Sequence, residues 1–229
     1  LKKKMDHILS CSCIIFSHLV STFFIPLNSY KRKQITWFSI HAFVNFVISY
    51  YSFTCVYYTL LYPEKSTQYE YQKELKITKF PMCLSIWIHI YHALFYNLSN
   101  EDLFHHVLFA TLLPVPGYIY DWGIISNCNL FFICGLPGGL IYMLLAFQKC
   151  GYFLNVNEPY FSMIVNVFIR CPGILISSTI LCYNLYIDNI DVPLLFSLIQ
   201  VVLCPFNAIY YTHQSVIRCV KKNNFKIFK

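Results

Sequence analysis

Long apolar runs alternate with short polar clusters along the whole chain, and this pattern predicts an all-α membrane protein with about seven transmembrane helices. Each run has roughly the 20 residues that an α-helix needs to cross a bilayer. The strands of a β-barrel would alternate in polarity, whereas these runs are continuously apolar. The predicted spans cover residues 8–27, 35–61, 80–98, 103–120, 124–147, 160–187 and 192–217.

The predicted spans divide the chain into three parts. Residues 1–34 hold an N-terminal helix and a basic loop, residues 35–220 form the main transmembrane domain, and residues 221–229 are a basic tail. Three lysines precede the first run, as in a signal peptide, but the run is long and no small-residue cleavage site ends it. We therefore expect the first run to be a transmembrane helix.

The composition excludes several classes of protein. Of the 229 residues, 57% are hydrophobic and 12% are charged, against about 25% charged in an ordinary soluble domain. So few charges cannot cover the surface of a soluble protein, and they exclude a disordered or nucleic-acid-binding chain as well. The net charge of +7 belongs to the membrane flanks. Most of the eleven cysteines lie inside apolar runs, which indicates small reduced side chains rather than a disulfide framework.

Basic residues are slightly more numerous on the side of the membrane that holds the C-terminus. Because cytoplasmic loops are enriched in lysine and arginine, this distribution favours a cytosolic C-terminus and a non-cytosolic N-terminus. A multi-pass protein of this kind is expected in the endoplasmic reticulum or another endomembrane. Its expected partners are membrane lipids and no nucleic acid, and homo-oligomerisation stays open.

Ionisable residues inside apolar spans are costly, so they indicate function more often than exposed ones do. Asp102 lies one helical turn before both His105 and His106, at the start of the fourth span. Its carboxylate can therefore orient an imidazole for acid–base or nucleophilic chemistry. Ser99 and Asp102 also match a capping box, which would give Asp102 a purely structural role. The sequence leaves both roles of Asp102 open.

His89 and His92 lie one turn apart on the third span and so share a helix face. Facing helices would bring them near His105 and His106, and four imidazoles are ligands that iron or zinc accepts. The chain lacks the H-x-x-H-H clusters of membrane di-iron enzymes, however. We therefore expect no metal, and we assign these histidines to the polar lining of an internal cavity.

Two predicted spans contain helix-breaking residues. The fifth has Gly-Leu-Pro-Gly-Gly at residues 135–139, and the sixth has Arg-Cys-Pro-Gly at residues 170–173. Proline removes a backbone donor, so the freed carbonyls must face a partner or a cavity. Arg170, with Asn166 one turn before it, is a candidate contact for a lipid phosphate or carboxylate, or for an internal acid such as Asp188. The alternative is an arginine that snorkels to the interface.

The segment Asp-Leu-Phe-His-His at residues 102–106, followed by Thr111, resembles the TLC domain of ceramide synthases and translocon-associated TRAM proteins. That family has a six-helix bundle preceded by an N-terminal helix, so the resemblance covers roughly residues 35–229. In ceramide synthases, paired histidines in a helical chamber act on an acyl thioester while a sphingoid amine attacks. The resemblance implies that His105 and His106 handle an acyl group, with acyl-CoA as co-substrate and no other cofactor.

The chain also departs from the ceramide synthase pattern. Thr111 lies further from the histidines than in that subfamily, and the acidic signature that follows it there has no counterpart in residues 121–147. These departures favour a TLC-like protein of lipid sensing, trafficking or membrane homeostasis over a synthase. The candidate acyl-handling residues are His105, His106 and Asp102, and the candidate lipid contacts are Arg170, Asn166, His89 and His92.

Two other functions compete with a lipid chamber. A small-solute or proton-coupled transporter would use the broken fifth and sixth helices as an unwound substrate site, although no inverted repeat is visible in the sequence. A structural membrane protein would use its polar residues only to satisfy one another. Convergence of the polar residues on one cavity large enough for an acyl chain would favour the lipid chamber.

Overall fold

A computed structural model describes residues 2–24, 29–120, 122–152, 157–190 and 192–227. All regular secondary structure in these residues is helical. The α-helices are α1 (Lys2–Phe24), α2 (Ser29–Leu61), α3 (Tyr69–Glu74), α4 (Phe80–Phe95), α5 (Asn100–His105), α6 (Pro114–Ile119), α7 (Ile125–Leu130), α8 (Leu136–Cys150), α9 (Asn157–Val165), α10 (Cys171–Tyr186) and α11 (Leu194–Ile227). A 3₁₀ turn covers Pro63–Lys65, and π-helical turns cover His106–Thr111, Phe131–Gly135 and Asn166–Arg170.

Within the described residues, five helical segments are long and apolar enough to cross a membrane. They correspond to the predicted first, second, fifth, sixth and seventh spans, and the last residues of the predicted first span, 25–27, lie outside the described residues. The five segments are Lys4–Phe23, Lys31–Leu61, Ile125–Cys150, Glu158–Tyr186 and Leu194–Lys222. An all-helical protein with several apolar helices is thus confirmed, whereas the number of seven spans is not.

The predicted third and fourth spans are shorter than expected. Helix α4 has 16 residues, which is roughly 24 Å of helix and less than the ~30 Å core of a bilayer. The fourth segment consists of α5, a π-helical turn and α6, and Pro114 and Pro116 lie in α6. Because proline cannot donate a backbone hydrogen bond, these two residues prevent one continuous helix. Both segments lie inside the bundle, where α4 packs against α1, α2 and α6.

The core joins α2 to α4 through branched aliphatic side chains, which pack closely on both helices. Ile40, Val44 and Ile48 of α2 are fully buried against Leu84 and Ile88 of α4. The same helix α2 also packs extensively on α8. This α2–α4–α8 unit forms one wall of the cavity described below.

Close approach of α2 and α8 depends on the glycines of the Gly-Leu-Pro-Gly-Gly segment. A Cβ atom on Gly139 would lie 2.9 Å from the ring of Phe46, and one on Gly138 would lie 2.6 Å from Asn45 Nδ2. Small residues at such positions let two helix backbones approach within a membrane. The glycines therefore have a packing role in addition to any effect on helix continuity.

The breaks predicted in the fifth and sixth spans are π-helical turns, and the helices do not unwind. The Leu136 N–H donates to the Phe131 carbonyl, and the Cys171 N–H donates to the Asn166 carbonyl, each five residues earlier. Pro137 and Pro172 follow directly as the second residues of α8 and α10. Each turn thereby accommodates a proline inside a helical span, as π-bulges commonly do at functional sites.

Candidate functional site

A cavity of about 610 Å³ lies inside the bundle, lined by residues of α2, α4 to α9 and α11. This volume is within the range of about 300–1,000 Å³ that small-molecule sites occupy. Gln200 and Lys221 both line it and lie 21 residues apart on α11, which is roughly 31 Å along the helix axis. We call this cavity the chamber, and its length suits an extended ligand.

The chamber collects five of the seven predicted site residues. Asp102, His105, His89, Asn166 and Arg170 all line it, although they come from three separate segments of the chain. The tertiary fold therefore brings the polar residues of the third, fourth and sixth predicted spans to one place. His92 and His106 are not among the chamber-lining residues.

A hydrogen-bonded row runs from the chamber wall into α4. The hydroxyl of Tyr211 lies 2.7 Å from His105 Nδ1, and His105 Nε2 lies 3.0 Å from His89 Nε2. His89 Nδ1 lies 2.6 Å from the Ser85 carbonyl oxygen. We call Tyr211, His105, His89 and the Ser85 carbonyl the histidine row. It joins α11, α5 and α4 through polar contacts inside an apolar bundle.

The Ser85 carbonyl sets the direction of every hydrogen bond in the histidine row. A carbonyl only accepts, so His89 Nδ1 carries the proton, and the neutral ring then accepts at Nε2. His105 must donate from Nε2 to His89, which leaves its Nδ1 as an acceptor for the Tyr211 hydroxyl. This assignment follows from the pairing pattern of the four groups.

The Asp102 carboxylate is used in a capping box, which confirms one of its two predicted roles. Asp102 Oδ2 accepts from the Ser99 backbone N–H at 2.9 Å and from its hydroxyl at 2.7 Å, while the Ser99 Oγ accepts from the Asp102 N–H at 3.1 Å. Within the described residues no imidazole is hydrogen-bonded to Asp102. The partners that orient His105 and His89 are instead Tyr211 and the Ser85 carbonyl.

His92 and His106 form a second pair behind the chamber. His106 Nε2 lies 3.1 Å from His92 Nδ1. The ring of Trp37 lies between His92 and His41, with its centroid 3.7 Å from one imidazole centroid and 3.4 Å from the other. These side chains form an aromatic layer between α2, α4 and the end of α5. His106 therefore does not belong to the chamber wall, although it is adjacent to His105 in sequence.

The Arg170 guanidinium occupies a site that Pro137 creates. Arg170 Nε donates to the Ile133 carbonyl at 3.0 Å, and Nη2 donates to the same oxygen. Ile133 lies four residues before Pro137, so its carbonyl would bond the backbone N–H that proline lacks. The prediction that a freed carbonyl needs a partner is confirmed here, and an arginine is that partner.

Two further contacts hold the Arg170 side chain. Nη1 donates to Asn166 Oδ1 at 3.1 Å, and Cζ lies 4.9 Å from the centroid of the Tyr211 ring. Asp188 lies beyond the C-terminal end of α10, so it is not the internal partner. The guanidinium is thus held inside the bundle and against the chamber, which is not the position of a snorkelling arginine.

An ion pair between a buried glutamate and a half-exposed arginine lies at the end of the chamber that holds the C-terminus of α11. Glu158 is 1% exposed, pairs with Arg218, and accepts a hydrogen bond from the Ser162 hydroxyl at 2.8 Å. Arg218 and Lys221 line the chamber beside it. Because Glu158 balances the charge of Arg218, Lys221 gives this end its excess positive charge, while Leu113 and Ile133 contribute to an apolar wall further in.

Sequence reasoning missed Tyr211, Ser85 and Glu158. Tyr211 is one of 19 tyrosines and lies inside an apolar run, so nothing in its surroundings marks it. Ser85 contributes only its backbone carbonyl, which every residue has. Glu158 lies two residues before the predicted sixth span, and an acid so close to an apolar run is a usable signal.

The four histidines pair as hydrogen-bond partners, and among the described residues no three side chains of His, Cys, Asp or Glu converge as metal ligands. The arrangement places a continuous row of hydrogen-bonded groups, along which protons can in principle be exchanged, beside the Arg170 guanidinium. Comparison with known protein families, with curated protein sequences and with solved structures finds no significant match for this chain.

Proposed function

We propose that the protein is a multi-pass membrane protein with a TLC-like domain whose chamber binds, senses or modifies a lipid or acyl chain. The observation that carries the proposal is one elongated cavity with His105 and Arg170 in its wall. These two residues come from separate predicted spans, and a purely structural protein would not need to bring them to a common cavity. An acyl-CoA is the expected co-substrate if the protein is an enzyme.

The distribution of side chains in the chamber suits an amphiphile. The apolar part of the wall includes Ile88, Phe109, Leu113, Ile133, Ile141 and Leu145. Arg218 and Lys221 lie at the end near the C-terminus of α11, where they favour an anionic head group. An alkyl chain would then lie along the apolar wall, and its polar linkage would lie near the histidine row.

The test is the amount of lipid that remains bound to the purified protein. Leu145 lines the chamber, whereas the adjacent Leu144 does not, so Leu145→Trp fills the cavity and Leu144→Trp is its matched control. We expect lipid to co-purify with the wild type at about one molecule per chain, as measured by mass spectrometry. Leu145→Trp should lower that amount about tenfold or more, and Leu144→Trp should leave it unchanged.

Ile141→Trp repeats the test from another position of the chamber wall, in case Leu145→Trp folds poorly. Thermal unfolding of each variant in the same detergent shows whether it is folded. Wild-type protein without bound lipid, or equal lipid in folded wild type and both chamber-filling variants, would overturn the proposal.

The transporter remains the competing function, because an arginine held beside two π-helical turns resembles a substrate site in interrupted helices. Vesicles that contain the protein and an internal pH-sensitive dye distinguish the two functions. Proton flux that is present in the wild type and lost in Arg170→Gln would favour transport. Bound lipid without flux would favour the lipid chamber.

A further inference from the structure

His105 has no ring nitrogen available to a ligand. Its Nδ1 accepts from the Tyr211 hydroxyl and its Nε2 donates to His89. An imidazole in this state can neither attack an acyl carbon nor take a proton from a substrate unless one of the two hydrogen bonds breaks. The residue that resemblance to ceramide synthases marks as acyl-handling is therefore enclosed by protein partners.

Tyr211 lines the chamber as His105 does, but its hydroxyl oxygen still has acceptor capacity. Its proton points to His105, so its oxygen lone pairs are free to accept from a ligand within the chamber. The Arg170 guanidinium lies over the Tyr211 ring, with Cζ 4.9 Å from the ring centroid, so it holds the ring in place beside the chamber.

We propose that the Tyr211 hydroxyl is the group that exchanges a proton with the chamber ligand, and that His105 and His89 are a relay behind it. The Ser85 carbonyl gives the relay its direction, since it forces His89 to accept at Nε2. His105 and His89 are then positioning residues, because both ring nitrogens of each are bonded within the row, whereas the Tyr211 oxygen keeps lone pairs for a ligand.

The proton balance can be followed for acyl transfer, which rests on the proposed function. As an amine attacks the thioester carbonyl, its proton moves to Tyr211 Oη, the Tyr211 proton moves to His105 Nδ1, and the His105 Nε2 proton moves to His89 Nε2. The new C–N bond forms, the C–S bond breaks, and the departing thiolate receives the proton returned through the row. The products are an amide and a thiol, and nothing is oxidised or reduced.

Nitrogen NMR tests the relay without any substrate. We would label the histidines with ¹⁵N and place the protein in lipid vesicles at neutral pH. The His105 resonances are those that disappear from the spectrum of His105→Gln. We expect His105 as the Nε2–H tautomer, with a Nδ1 resonance that moves downfield in Tyr211→Phe because its hydrogen-bond donor is gone. Tyr183→Phe, which changes an exposed tyrosine on α10, should leave that resonance unmoved.

The same variants test the chemistry in protein supplied with palmitoyl-CoA and sphinganine. Tyr211→Phe should lower kcat about 10²-fold or more with little change in KM, because it keeps the ring and removes only the proton-exchanging hydroxyl. Tyr183→Phe should retain wild-type turnover. Wild-type turnover in Tyr211→Phe, or an Nδ1–H tautomer of His105, would overturn the relay.

The NMR result separates failure of the relay from failure of the proposed acyl transfer. If the wild type shows no turnover but His105 is the Nε2–H tautomer and responds to Tyr211→Phe, acyl transfer is rejected and the relay is supported. If the tautomer is Nδ1–H, the relay is rejected whatever the turnover.

Discussion

At the scale of single residues, two neighbouring histidines have different surroundings. His105 faces the chamber and joins the histidine row, whereas His106 bonds to His92 behind it. Successive residues on a helix point roughly 100° apart, and here that rotation directs His106 toward α4 rather than into the chamber. A paired-histidine motif therefore does not imply that both members share one chemical role.

The capping box predicts how Ser99 and Asp102 respond to substitution. Ser99→Ala and Asp102→Ala should each lower the free energy of unfolding by about 0.5–2 kcal/mol, because each breaks the same reciprocal pair of hydrogen bonds. The double variant should lower the free energy of unfolding by little more than either single variant does. Denaturant unfolding in mixed micelles measures all three values.

The control for this prediction is a measurement of turnover or lipid binding in the same variants. If Asp102 acts only through the cap, Ser99→Ala and Asp102→Ala should change acyl-transfer turnover or lipid binding to the same extent. A large loss in Asp102→Ala alone would show that the carboxylate has a further role in the chamber, which it also lines.

At the scale of helices, a proline in one span is compensated by an arginine in the next. Pro137 leaves the Ile133 carbonyl without an N–H partner from its own helix, and Arg170 donates to that carbonyl across the helix–helix interface. An unpaired backbone carbonyl is costly in a bilayer, where no water can replace its partner. The two residues should therefore be energetically coupled.

A double-mutant cycle measures this coupling. Arg170→Met should lower the free energy of unfolding by about 1–3 kcal/mol in the wild-type background, because it leaves the Ile133 carbonyl unpaired. In Pro137→Ala the new backbone N–H can bond that carbonyl, so Arg170→Met should cost about 1 kcal/mol less. Denaturant unfolding in mixed micelles provides the four values.

Pro205 is the matched control, since it lies inside α11 and its missing N–H concerns another carbonyl. The effects of Pro205→Ala and Arg170→Met should simply add. Additivity in the Pro137 cycle as well would contradict the proposed link between the proline and the arginine.

At the scale of the whole molecule, the described residues include five helical segments of spanning length, a shorter α4 and a segmented fourth unit. Five crossings and seven crossings are both odd numbers, so either count places the ends of this chain on opposite sides of the membrane. The basic residues Lys31, Lys33, Arg218 and Lys221 flank the side that holds the C-terminus of α11. We expect that side to be cytosolic.

Reporter fusions test this topology. A pH-sensitive fluorescent protein fused after residue 229 should report cytosolic pH, and the same protein fused before residue 1 should report the lumenal or external side. The change in reporter fluorescence after a pulse of membrane-impermeant acid distinguishes a cytosolic position from a lumenal or external one. Both reporters on one side would indicate an even number of crossings, with one of the two short segments failing to span.

The sequence by itself determined the features that depend on residues only a few positions apart in the chain. Apolar runs of spanning length, the Ser99–Asp102 capping box and a carbonyl freed by Pro137 all follow from spacings of a few residues, and the structure has each of them. The shortness of the third and fourth segments was missed, although Pro114 and Pro116 are visible in the sequence. A run of apolar residues shows hydrophobicity but not helix continuity.

Only the tertiary structure decided which side chains meet. Tyr211 lies 106 residues from His105, and Ile133 lies 37 residues from Arg170. These contacts depend on the rotation of each helix about its axis, and apolar periodicity does not encode that rotation in a bilayer. Phe168 is 72% exposed while Asn166, two residues earlier, is 4% exposed. An apolar side chain is equally favourable against lipid and against another helix, so packing alone selects the face that lines the chamber.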